Sequence, residues 1–588
     1  MEWSFRAAAE LVTRIYAGVA GAVFLVSGLL YLCLGHWQVT HLDFWRIYDV
    51  CLNRSWLESA LLKYNGHSHF FPSQLWLADL RFCHGNMELL FVAGLVLLGL
   101  TVAGLIVVVW GDAQIGLSSK ILATFVIIAA NFWMGRATTT ASGGFNCCYS
   151  LTLGGVVLAF LGLRLLPASA HPVGLTCGIV IAAVVSSFSF ATGLALWPTL
   201  LFLGYCMRFR LHRLVVLGLA GIVTAAVFVS LPSREASGGL MLGPDVAAAF
   251  IKLPGLLCRL IGSPIAHVVG AWFDDKTARE LIDASGFSLY VGALGAALSG
   301  LIVFNCLRQR NLGRSSVELT GSALLAFNLI ALSLIVLGRS QRMFSIPAET
   351  MAPRYLFWSS LLWAGILVVM IAQAETIHWL RAPTWVVILA APIVLFPSHF
   401  KEGLRWRYIR CRSDSGAIAL LNGVQDSERA QFLAPYTDIV YRVGGQMRAR
   451  RLDFFAPGYQ EWIGRSAADL FGDREAPRAC TWHCRVDKTV TAHDGIAARL
   501  FGIAPRGENT RAELFVVLDP NGVVRGLARA CSTSALLNTV LYLNRAPNTT
   551  LTGYVRSYDP ALQYTLRCVE DGKLSTGTTR LPATMPRQ

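Results

Sequence analysis

The chain has 588 residues and carries a formal net charge of +15. Hydrophobic residues are 54% of it and charged residues only 14%, with a mean hydropathy of +0.53, against about 25% charged in soluble globular chains. This excludes a soluble enzyme. The excess of 50 Lys and Arg over 35 Asp and Glu fits membrane topology and headgroup contact, and no nucleic acid is expected as a partner.

A bilayer-spanning helix needs about 20 apolar residues. The long Leu/Val/Ala-rich runs predict helices rather than a barrel, because a helix satisfies its own backbone. In chain order, about eleven spans are expected, at 15–35, 88–110, 119–134, 148–166, 173–188, 190–206, 213–231, 286–306, 319–337, 355–374 and 384–398. The stretch SFSFATG reads as a short turn between the fifth and sixth. The first run shows no cleavage site and reads as a retained helix.

Basic residues gather before the first span (Arg6, Arg14), in MRFRLHR (Met207–Arg213) and in LRQRNLGR (Leu307–Arg314), and Lys120 and Arg164 agree. Short loops rich in Lys and Arg face the cytoplasm, which puts the N-terminus inside. The loops 36–87, 232–285 and 338–354, and everything after about 398, then lie outside. The RSQR and APR segments of 338–354 depart from the rule, either as tolerated exceptions or to bind something anionic.

The 36–87 loop concentrates the chemistry. Asp43 and Asp49 follow the first span closely, then come His67, His69 and Pro72, with Trp37, Trp45, Trp56 and Trp76 interspersed. The 232–285 loop is Gly-rich and then amphipathic, as in an interfacial or re-entrant helix, with a short packed helix pair as the alternative.

Beyond 398 the pattern changes. HFKEGLRWRYIRCRSD is a basic juxtamembrane segment, and helical periodicity continues through 399–479. From 480 to 588, short alternating runs are separated by turn signals at Pro520-Asn521-Gly522 and Glu570-Asp571-Gly572. The expected fold is therefore an all-α polytopic membrane domain (1–398), followed by a smaller α/β-rich extracytoplasmic domain with a β-sandwich-like end. The tail cysteines 411, 480, 484, 531 and 568 are open to disulfide pairing outside the cell, in no pattern that spacing fixes. Cys480 and Cys484 flank His483 but lack a second ligand pair, so no metal is expected. Walker, dinucleotide, HExxH and nucleophile-elbow motifs are absent from the sequence, which disfavours an ATP-driven pump.

A first span followed at once by a long loop with an early acid, ten more spans and an outward β-rich tail resembles the GT-C superfamily of integral-membrane glycosyltransferases. The resemblance implies a polyprenyl-phosphate sugar donor, transfer on the outer face and no required cofactor. It also implies a first-loop acid as general base. Asp43 matches best as the first acid after the span and Asp49 next; the family's acids are adjacent or nearly so, whereas these two are six residues apart, and the choice stays open. The outward β-domain is similar to that of bacterial arabinofuranosyltransferases, including the branch that decorates type IV pilins. That implies D-arabinofuranose as the sugar, a pilin-like periplasmic protein or a glycan as the acceptor, and residence in a bacterial inner membrane with the tail in the periplasm. Transfer of a hexose is the competing expectation.

Inverting transfer needs a base for the acceptor hydroxyl and cations where charge builds on the leaving phosphate. His67, His69, Arg136, Lys276, Arg354 and Tyr355 have suitable types and places for donor phosphate or sugar binding. Asp43 as a helix cap and Arg354 as a headgroup-snorkelling residue are the plain alternatives. A secondary transporter or flippase for a lipid-linked sugar is the other functional class, but it usually shows internal repeats, and none is found. A reporter fused after Gln588 is expected to read as external; a cytoplasmic signal would invert the placement of every loop above.

Overall fold

The computed structural model describes residues 2–36, 39–136, 143–234, 246–273, 286–309, 315–472, 475–476, 482–492, 495–504, 514–531 and 550–581. Lys276 and Cys480 lie outside them. The chain divides into two compact units. One comprises Met1–Cys33, Trp56–Leu75 and Leu90–Gly403; the other comprises Leu34–Ser55, Trp76–Leu89 and Leu404–Gln588. This differs from a division at 398 and 479, because the first loop is shared out. Its middle belongs with the apolar helices and its two flanks with the tail. The flanks carry bulky buried side chains, among them Trp45, Tyr48 and Trp76. Such area demands an apolar partner, and Trp45 finds one beside Gly444 in the tail helix Thr437–Ala449.

Among the described residues, eleven helices are long and apolar enough to cross a membrane, and the chain is a multi-pass membrane protein. The membership differs from expectation by one exchange. Residues 191–206 are too short, since a 3-10 stretch (Ala191–Ala195) precedes a helix of only 11 residues, Leu196–Cys206. At about 1.5 Å per residue that helix falls well short of a bilayer core of about 30 Å. The helix Val246–Gly270, expected to be interfacial, has the length instead. It packs closely along the helix Phe287–Gln309. Lys252 faces the Phe344 ring at 5.7 Å, and His267 Nε2 is 2.8 Å from the Met351 carbonyl, so both ends meet the 338–354 connection. The last span and the basic juxtamembrane segment form one helix of 44 residues, His378–Leu421.

In the second unit the strands β1 (Val424–Gln425), β2 (Glu475–Ala476), β3 (His483–Ala492), β4 (Gly495–Ile503), β5 (Leu514–Leu518), β6 (Val524–Cys531), β7 (Thr550–Val555), β8 (Thr565–Glu570), β9 (Lys573–Ser575) and β10 (Thr579–Arg580) form a single sheet. Its order is β1-β3-β4-β7-β6-β5-β8-β9-β2, with β10 on β8; only β2 and β9 run parallel. The sandwich-like end is thus one continuous sheet curled over a single core of alternate residues such as Leu500, Phe515, Ala528, Leu551 and Leu566. The curl brings β10 back toward β3, where Trp482 N donates to Thr579 Oγ1 at 3.0 Å. Both turn signals fall where expected. Asp571 and Gly572 take positive φ between β8 and β9, and Asp519 Oδ1 accepts from Asn521 N and Val523 N between β5 and β6. Cys411 and Cys531 form a disulfide, with Cα atoms 5.8 Å apart.

The first unit packs some helices backbone to backbone. A Cβ at Gly292 would run into the Cys258 carbonyl, and one at Gly262 into the Ser288 carbonyl. Small residues permit such approach between apolar helices. Gly292→Leu is therefore expected to lose folded yield and to melt earlier, by at least the roughly 1–3 kcal/mol typical of overpacking. Wild-type melting would mean that the pair can separate without cost.

Candidate functional site

The middle of the first loop is fixed by its own backbone. Lys63 N donates to the Pro232 carbonyl (2.8 Å), and Arg234 N to the Lys63 carbonyl (3.1 Å). Tyr64 and His67 then exchange N–H···O bonds of 3.0 and 2.9 Å around Asn65 and Gly66, both at positive φ (49° and 75°). Asn-Gly is the sequence that such a tight hairpin turn demands. The turn delivers His67 into the interior, where its ring stacks on Phe190 at 4.0 Å and 14°. His69 lies 6.0 Å from His67 and 5.8 Å from Phe190. Burial, then His69 and Arg339, hold the His67 imidazole well below its ordinary range, and burial pushes His69 down to about 3. Both rings are neutral at physiological pH, and His67 Nδ1 is buried with no hydrogen-bond partner among the described residues.

Aromatic contacts continue from Phe190 to Tyr149 (4.9 Å), from Tyr149 to Phe357 (4.9 Å), and from Phe357 to Arg136, whose guanidinium lies 3.7 Å over the ring. Arg136 is completely buried and donates to the Ala130 carbonyl and to Asn131 Oδ1 (3.1 Å). Arg339, Arg354 and Tyr355 lie within electrostatic range of Tyr149. Arg354 pairs with Glu349, which Arg342 also approaches at 3.4 Å, and its guanidinium is 5.0 Å from the Tyr355 ring. The buried Tyr355 hydroxyl has no hydrogen-bond partner among the described residues. The structure thus gathers His67, His69, Arg136, Arg354 and Tyr355 with Tyr149, Phe190, Phe357 and Arg339, which sequence reasoning missed. Asn65-Gly66 was the one local signal pointing at this fold of the loop. Guanidinium, phenol and neutral imidazole groups beside aromatic rings suit a phosphate and an attached sugar.

The two aspartates belong to the other unit. Asp43, half-buried, opens the helix Phe44–Asn53, and its side chain makes no capping bond there. Asp49 is buried, and both its oxygens take the Arg442 fork, at 2.8 and 3.1 Å. Two more acids are buried in this unit. Asp79 accepts from Tyr48 OH and from Met87 N, each at 3.3 Å. Asp453 Oδ2 accepts from Thr40 N (2.8 Å) and Thr40 Oγ1 (2.6 Å). Burial pushes the Asp79 carboxyl up to about 6 and the Asp453 carboxyl up to about 7.

No family model matches this chain, and no curated protein matches it. Two solved structures of oligosaccharyltransferase from Archaeoglobus fulgidus are similar to it. One, in complex with zinc and sulfate, is 13% identical with a TM-score of 0.31, over 67% of this chain and 55% of that one. The other, in complex with an inhibitory peptide and a dolichol-phosphate, is 12% identical with a TM-score of 0.34, over 70% and 58%. The chain matches little more than half the length of either, and at these scores the likeness assigns neither family nor activity.

The raised acids give a pH dependence. A carboxyl with a raised folded-state pKa binds more protons folded than unfolded, so stability falls as pH rises between the two values. For Asp453 that window runs from about 4, the ordinary value, to about 7. The melting temperature of the second unit is expected to fall across it, and Asp453→Asn to flatten the fall. An equally steep profile in that variant would remove Asp453 as its source.

Proposed function

We propose that this protein is an inverting membrane glycosyltransferase that moves a sugar from a polyprenyl-phosphate donor to a protein or glycan acceptor. The observation that carries the reading is the cluster of Arg136, Arg354, Tyr149, Tyr355, His67 and His69, which brings cations, phenols and neutral imidazoles together. D-arabinofuranose and a pilin-like periplasmic acceptor are the specific substrates that the sequence resemblance implies, with a hexose as the competing sugar.

In this reading a first-loop aspartate takes the proton of the acceptor hydroxyl. The oxygen attacks the anomeric carbon, the bond from that carbon to the phosphate oxygen breaks, and the electron pair leaves with the phosphate. By residue type, Arg354 and Arg136 are the cations we assign to binding the donor phosphate. Asp43 is the base we favour over Asp49, because it is the first acid after the span and both Asp49 oxygens are occupied by the Arg442 fork.

The test is label transfer from radiolabelled polyprenyl-phosphate sugars in membranes holding the full-length protein. Asp43→Asn is expected to cut transfer by roughly 10²–10⁴-fold with donor binding nearly intact. Arg354→Ala is expected mainly to raise the donor KM, by about ten-fold or more for a lost charge-assisted contact. Transfer by Asp43→Asn at the wild-type rate would remove Asp43 as base. No transfer with any donor from wild-type protein would favour a flippase, read directly by lipid-sugar flipping in liposomes.

A further inference from the structure

We propose that the tail segment 432–453 is the positioning clamp of Asp43, so that residues about 400 positions downstream set the rate of transfer without touching substrate. The proposal rests on Asp43 being the base. All the residues involved lie in one unit.

Asp43 sits between two sets of anchors, and each ends in the tail. Upstream, Thr40 donates twice to Asp453 Oδ2, and Leu42 N donates to the Leu433 carbonyl at 2.6 Å. Leu42 has φ 51°, in the left-handed region that a leucine seldom occupies. A strained residue persists only where its surroundings over-determine it, and here the tail supplies the bonds. Downstream, the Arg46 guanidinium lies 3.5 Å over the Tyr436 ring, Arg442 forks onto Asp49, and Arg450 Nη1 donates to the Leu52 carbonyl at 2.9 Å. Asp43 therefore enters its helix from a turn held at both ends by tail residues. Asp49 acts as an anchor of that helix and Arg442 as its holder.

A base displaced by about an ångström can cost on the order of a hundred-fold in rate while leaving donor binding alone. For the full-length protein in membranes, Arg442→Ala is expected to lower kcat by ten- to a hundred-fold on that basis, with the donor KM little changed. Arg442→Lys should restore part of the loss. Amide hydrogen exchange across 40–47 should quicken in the Ala variant. Should Arg442→Ala fail to fold, Thr40→Val, which loses the hydroxyl bond to Asp453, is expected to lose kcat where Thr40→Ser keeps it. An unchanged kcat, a loss confined to KM, or a fall in kcat with unaltered exchange would each overturn the clamp. Inactivity of Asp43→Asn beside wild-type rates in the Arg442 and Thr40 variants would sink the clamp alone. Full activity of Asp43→Asn would sink the base reading, and the clamp with it.

Discussion

A guanidinium with no exposed surface among apolar helices is the constraint around which the first unit is arranged. Burying a charge costs several kcal/mol even after relaxation, so Arg136 needs partners inside the bundle. Ala130 and Asn131 accept from it, and the Phe357 ring lies beneath it. The turn that carries it, Met134–Arg136, is pinned in its own right. Met134 N donates to His399 Nδ1 at 3.1 Å, and Trp133 Nε1 donates to Ser398 Oγ at 2.8 Å. His399 Nε2 stands 2.8 Å from Ser27 Oγ. With Nδ1 accepting, Nε2 is the ring's donor, and the imidazole is neutral. The first, third and last long helices thereby fix one cation, and the aromatic path to His67 is laid against it.

The second unit solves a different problem. Its loop flanks are polar enough to reject a bilayer interior and too rich in aromatics to stand in water. They are joined to the tail by directed bonds between charged and polar partners rather than by area alone. The sheet keeps the same habit. Arg499, nearly buried, bonds Asp426, Glu428 and Asp487, and Tyr554 closes the network through Asp426. A buried cation with every donor occupied specifies one arrangement of the elements that meet there.

The sequence made the long helices legible, because apolar length is a one-dimensional property, and it made the tail's turns legible, because Asn-Gly and Asp-Gly have few other uses. It misplaced the sixth span: an apolar run does not reveal that Ala191–Ala195 winds as 3-10 helix after an extended Phe190. Residue type and loop position were enough to single out His67, His69, Arg136 and Arg354, which lie together in space. Tyr149, Phe190 and Phe357 sit in apolar runs where nothing separates them from ordinary packing residues. The partners of Asp49 and Asp453 were beyond reach, since Arg442 is 393 residues from Asp49 and Asp453 is 413 from Thr40, and charge pairing leaves no periodic trace.

Those separations also impose an order on biogenesis. Chains grow at about 5–20 residues per second, so the stretch around Asp43 waits on the order of 20–80 s for its tail partners to be made. Throughout that interval Leu42 has nothing to hold its unfavourable backbone, and Trp45 and Tyr48 have no tail helix to cover them. The membrane helices are inserted with the loop flanks still unpaired, and the last quarter of the chain converts them into ordered structure. Such long-range closure is slow and leaves apolar surface uncovered while it proceeds. A nascent chain stalled before residue 433 would hold its helices and the middle of the first loop but lack ordered loop flanks, which makes the ordering around Asp43 a late event in the assembly of this protein.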